Sequence, residues 1–121
     1  MPLSQFLEHI KHDGVVSFDE TIAVITAHYD YQPTAFSNGL HERKLISMAG
    51  TNEGSCRIFA FAQLHQLSPQ QTLNLFGDFY RHDVLDHPQG TDHQNIRTFM
   101  ADGWAGIVFD GVVLTPRPAP I

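Results

Sequence analysis

Along most of the chain the apolar positions recur with a helical period, and the spacing becomes strand-like only near the end. Leu3, Phe6, Leu7 and Ile10 share one face of a first amphipathic helix that stops at Gly14. Ser17-Phe18-Asp19-Glu20 spells a capping box, so a second helix is expected to start there, burying Phe18, Ile22, Ile25 and Tyr29 and ending before Pro33. Thr34 to Gly50 has the poorest pattern and is expected to be loop with a short hairpin. From about Ser55 to Leu67 the apolar residues fall on all sides, which predicts a central helix surrounded by other elements. Ser68-Pro69-Gln70-Gln71 is a second capping box with proline at the first helical position, opening a helix that carries Leu73, Phe76, Phe79 and Tyr80.

His87-Pro88-Gln89-Gly90 reads as a turn. A fifth helix is expected behind Thr91 or Asp92 as cap, with Ile96, Phe99 and Met100 facing inward and Gly103 as its end. The period then changes: Ile107-Val108-Phe109, Asp110-Gly111 and Val112-Val113-Leu114 read as strand, two-residue turn and strand, a hairpin that must rest on the helices or on a strand from the 34–50 region. The tail from Thr115 to Ile121 should be extended, and its alternating prolines make it a candidate groove ligand. The expectation is an α+β fold, mainly helical, with about five helices and a C-terminal β-hairpin in a single domain spanning residues 1–121.

Composition narrows the function classes. At 121 residues and 42% apolar, the chain is long enough for one real core and too short for two. No run of residues is long and apolar enough for a membrane span, and the start lacks the pattern of a secretory signal. Seven basic against thirteen acidic residues give a net charge of −6, which repels a phosphate backbone and argues against a nucleic-acid ligand. Eight histidines make the charge sensitive between pH 5 and 7, and the single cysteine rules out an intramolecular disulfide.

Gly54-Ser55-Cys56-Arg57-Ile58-Phe59-Ala60-Phe61-Ala62-Gln63-Leu64-His65 is followed by Gly77-Asp78-Phe79-Tyr80 and by Gly90-Thr91-Asp92-His93-Gln94-Asn95-Ile96-Arg97. With His28 to Phe36 and Gly103 to Ile107, these stretches resemble the HopJ family of type III secretion effectors over nearly the whole chain. The resemblance implies a protein delivered into a host cell to meet a host protein, but it carries over no catalytic set. Effectors usually have an unstructured, Ser-rich leader, whereas a helix is expected here from Leu3, so residence in the bacterial cytoplasm stands beside export.

Four groups of residues carry candidate chemistry. Cys56 falls in the first turn of the central helix, where exposed amides and the positive end of the dipole favour a thiolate, and Gly54-Ser55-Cys56 resembles the cysteine turn of papain-like proteases. A thiol-dependent enzyme would pair Cys56 as nucleophile with His93 as base and Asp92 or Asn95 as orienter. His82, Asp83, Asp86 and His87 form a His-Asp cluster that a divalent ion would need, though without a known metal spacing. His93, Gln94 and Arg97 crowd the start of the fifth helix, and the starts of the third and fifth helices together could form an anion or ligand pocket. The aromatic set Phe59, Phe61, Phe76, Phe79, Tyr80, Phe99 and Trp104 reads as core. The expected function is a monomeric, non-enzymatic interaction domain without cofactor or metal, acting on an unidentified protein, with the thiol enzyme second and metal binding third.

Overall fold

The structure, a computed structural model, describes residues 2–118. Five α-helices make up the largest share of the regular structure: α1 (Leu3–Lys11), α2 (Phe18–His28), α3 (Glu53–Leu64), α4 (Pro69–Asn74) and α5 (Gln94–Asp102). Five short strands complete an α+β fold: β1 (Tyr29–Tyr31), β2 (Phe36–Asn38), β3 (Leu45–Ser47), β4 (Val108–Phe109) and β5 (Leu114–Pro116). They form two antiparallel sheets, one pairing β1 with β5 and the other ordered β3-β2-β4.

The central helix is as buried as its sequence demands. Cys56, Ile58, Phe59, Ala60, Phe61 and Ala62 are all at or below 6% exposure, so α3 is wrapped nearly all round. Phe6 and Tyr29 pack edge-on against Phe61, and Phe36, Phe76 and Phe99 surround Phe59 with ring centroids 4.9–6.2 Å away. The aromatic set is therefore mostly core, with Phe79 the clear departure at 39% exposure.

Both capping boxes form. At α2 the Glu20 amide donates to Ser17 Oγ at 3.0 Å and the Ser17 amide to Glu20 Oε1 at 3.1 Å. At α4 the Gln71 amide donates to Ser68 Oγ at 3.1 Å and the Ser68 amide to Gln71 Oε1 at 2.9 Å. The helix behind Ser68 does not run on to Tyr80, however. It ends at Asn74, and Gly77 follows at φ +63°, where a Cβ would lie 2.6 Å from the Phe18 amide nitrogen, so the position takes glycine. Beyond this contact Phe79–Val84 forms a π-helical turn, in which the Leu85 amide donates to Tyr80 O at 3.0 Å.

Strand and cap details differ from expectation in three further places. The 34–50 segment does contain the hairpin, β2 with β3. The C-terminal strands stand on either side of the expected turn at Asp110-Gly111, but β4 bonds to β2 and β5 to β1 rather than to each other, since each finds an open strand edge already present. Asp92 does not cap α5: His93 holds that position, and the Asp92 carboxylate is taken by Arg97. Met100 points outward, at 44% exposure. Of the extended tail, Thr115 and Pro116 lie in β5, while residues 119–121 fall outside the described residues.

Candidate functional site

Cys56 is a core residue. Its sulfur has no exposure and donates to Thr34 O at 3.6 Å. Burial pushes the thiol up to about 11, and neighbouring Tyr31 and Arg57 offset this only in part. The thiol enzyme reading expected the positive end of α3 to act on an exposed sulfur; the all-round packing of the same helix instead removes the sulfur from water, and desolvation of the thiolate dominates. A thiol in this state is neither reachable nor ionised at neutral pH. The Arg57 guanidinium lies 3.9 Å above the Tyr31 ring, and the Tyr31 hydroxyl beneath is buried and shifted upward, first by desolvation.

The His-Asp cluster is dispersed into separate pairs. His82 lies between Asp78 and Asp86 at 3.6 and 3.3 Å, and Asp83 faces His93 instead. Among the described residues no group of three His, Cys, Asp or Glu side chains could hold a metal ion.

A third arrangement does assemble. A cleft of about 510 Å³ opens where the first turns of α3 and α5 meet β3. Asn52, Gly54 and Ser55 line it from α3, and His93, Gln94, Asn95 and Ile96 from α5. Phe18, Phe76 and Phe79 add aromatic lining, and Leu45, Ile46 and Ser47 line it from β3. Successive strand residues point to opposite faces, so a strand that lines a cleft with three consecutive residues meets it with its edge. β3 is the outer strand of its sheet, with β2 as its one strand neighbour.

Each helix start is shaped by its surroundings. Asn52 and His93 are both left-handed, at φ +49°, and neither helix has a side-chain cap. The Asn52 side chain turns away to donate from Nδ2 to Ser47 Oγ at 3.0 Å. The His93 ring stacks 5.1 Å from Phe79 and donates from Nε2 to Asp83 Oδ2 at 2.9 Å. Phe18 closes over the α3 start so tightly that a Cβ on Gly54 would come within 2.8 Å of its ring. The first helical bonds are donated by Cys56 to Asn52 O and by Ile96 to His93 O, leaving the earlier amides at the cleft without an intrahelical partner.

Of the residues singled out in the sequence, His93, Gln94 and Asn95 line this cleft and Cys56 does not. Arg97 stands apart from it. It donates to Asp92 O, to His87 O and to the Asp92 carboxylate at 2.6–2.9 Å, fastening the 87–92 loop to α5 and holding Asp92 below the usual carboxylate range. Asn52, Ser55 and β3 were missed as site residues. The one signal in the sequence was the juxtaposition of two polar helix starts, and β3 gave none because three residues carry no readable period.

These features have close parallels in known proteins. The crystal structure of a protein of unknown function, VPA0580, superposes with a TM-score of 0.90 at 46% sequence identity, covering 97% of this chain and 95% of that one. Residues 3–114 match the family described as HopJ type III effector protein, and the chain belongs to that family. No curated protein matches the chain.

Proposed function

We propose that this HopJ domain works by binding a short extended segment of another protein in the cleft beside β3, and that it performs no chemistry on it. The observation that carries this reading is an outer strand, β3, lining a cleft together with the aromatic residues Phe18, Phe76 and Phe79. An outer strand offers unpaired backbone donors and acceptors, the usual means by which an extended peptide is added to a sheet. Ile46 at 71% exposure and Phe79 at 39% supply apolar surface beside that edge. The buried, protonated Cys56 argues against the thiol enzyme. The domain acts as a monomer without cofactor, and the net charge of −6 sets nucleic acid aside as partner.

The description of the family as type III effectors supports synthesis in the bacterial cytoplasm followed by delivery into a host cell, where the partner would be a host protein. Among the described residues no helix is long and apolar enough to cross a membrane.

Panning a library of displayed random peptides against the whole chain tests the binding reading. Enriched peptides should bind the parent protein and the control Val112→Arg alike, and should lose at least about tenfold in affinity on Ile46→Arg, which sets a charge on the β3 edge. Both substituted side chains are largely exposed, so the fold is expected to tolerate them. Failure to enrich any sequence, or equal binding by Ile46→Arg, would overturn it.

A further inference from the structure

We propose that the segment bound beside β3 carries the pattern apolar, any residue, apolar, acidic, and that it pairs antiparallel with β3 so that its second residue bonds to both main-chain groups of Ile46. This deepens the peptide-binding reading and rests on it.

The ladder of the three-stranded sheet fixes which groups are free. The Asp110 amide donates to Ala35 O and the Gly39 amide to Gly106 O, each at 3.0 Å. Both bonds keep the register that pairs Phe36 with Phe109 and Ser37 with Val108, so the odd-numbered residues of β2 and its flanks turn their main-chain groups to β4. Bonding alternates along an antiparallel strand, which leaves Phe36 and Asn38 to bond toward β3, to Ser47 and Leu45. Ile46 lies between those two, and its N–H and C=O therefore turn away from β2 to the outer edge, which lines the cleft. Groups on either side limit the ladder. The Lys44 amide already donates to His41 O at 3.2 Å, and Met48 O accepts from the Thr51 amide and hydroxyl at 3.0 and 2.6 Å. Between them remain the donor and acceptor of Ile46 and the C=O of Lys44. A donor and an acceptor on one residue are met by a single residue of an antiparallel partner, which exchanges both bonds with it.

Register then assigns the side chains. The first to fourth residues of the segment lie opposite Ser47, Ile46, Leu45 and Lys44, and opposed residues share a face. Ser47 is 4% exposed and ends the inner row Phe109, Phe36, Ser47. Phe36 leads from this row to Phe59 and on to Phe76 in the cleft lining, with successive centroids 6.2 and 5.5 Å apart. The first side chain extends that row and the third stands beside Leu45 on the same face, so both are apolar. The second lies on the outer face with the exposed Ile46 and is free to vary. The fourth faces Lys44, which prolongs β3 in extended conformation at φ −60° and ψ 121°. Lys44 is exposed and pairs with no carboxylate among the described residues. No acidic side chain lines the cleft either, so the complement of this cation is an Asp or Glu of the partner.

The test uses terminally blocked synthetic peptides with Leu, Ile, Val or Phe at the first and third positions, Thr at the second and Glu at the fourth. They are compared with the same residues in reverse order, and both sets are probed with the full chain. Forward peptides should bind, and reversed ones should be weaker by at least about tenfold. N-methylation of the Thr removes the donor aimed at Ile46 O and should also cost at least about tenfold, whereas N-methylation of the third residue, whose N–H points away from β3, should be tolerated. Lys44→Glu should exchange the preference for Glu at the fourth position for Lys, which a purely structural role of Lys44 would not do. Equal binding of reversed peptides, equal effects of the two N-methylations, or an unchanged preference in Lys44→Glu would overturn the register and leave the peptide cleft standing. Failure of both sets beside successful panning of other sequences would do the same. Binding by no peptide from either source would overturn both.

Discussion

Helices α2 and α4 begin in one way and α3 and α5 in another. The first pair open with reciprocal capping boxes, each having a serine hydroxyl and a Glu20 or Gln71 side chain satisfying amides on both sides of the start. The second pair open with left-handed residues, Asn52 and His93, whose side chains bond to β3 and to Asp83 and leave the first-turn amides alone. The first pair are held in place by their own first turns. The second pair are held by what surrounds them, and the amides that their caps would have consumed face a common cleft. A helix end that gives up local stabilisation of about 1 kcal/mol at a cleft keeps its donors for another molecule.

This contrast makes three graded predictions about stability. The largest effect should come from α3 itself: if packing rather than capping fixes that helix, Phe59→Ala should cost about 3–5 kcal/mol in urea unfolding. A loss no bigger than a cap substitution would mean that α3 is held by other contacts. Next, Ser17→Ala and Ser68→Ala should each cost about 1 kcal/mol, since each removes a hydroxyl that an amide already uses. Smallest, and of opposite sign, Ser55→Asp should raise stability by about 0.3–1 kcal/mol, because a carboxylate in the third position of α3 meets amides and a dipole end that nothing else satisfies. A neutral result there would show the two kinds of start to be equivalent and would remove the contrast.

The sequence disclosed one kind of start and concealed the other for the same physical reason. Ser17 to Glu20 and Ser68 to Gln71 cap through residues three apart, so four letters suffice to read them. The left-handed Asn52 and His93 have their side chains bound to Ser47, Asp83 and Phe79, which are distant in the chain or indistinct in pattern. Asp92, a good cap by type, was the natural reading at α5, yet Arg97 competes for its carboxylate. The helix expected to carry Leu73 to Tyr80 stops short because Gly77, at positive φ, packs against the backbone of Ser17 and Phe18, about sixty residues away in the chain. Cys56 had two features pointing opposite ways, a helix start and an all-round apolar helix, and the second prevailed because burial begins at Cys56 itself, behind the half-buried Glu53, Gly54 and Ser55. The polar starts of α3 and α5 were legible as a joint pocket; the strand that gives that pocket its edge was not.

The pairing of Tyr29 with Pro116 and of Phe36 with Phe109 bears on the order in which the molecule assembles. Both sheets take in a late strand, β5 beside β1 and β4 beside β2, so those pairings must each close a loop of most of the polypeptide, whereas the β2–β3 hairpin is local. The local helices can form early, whereas β1 and β2 wait with open edges for β4 and β5, and folding should run slower than a helical bundle of this size. On the ribosome, where earlier residues emerge first, the pairings of β4 and β5 would be the last part of the protein to exist.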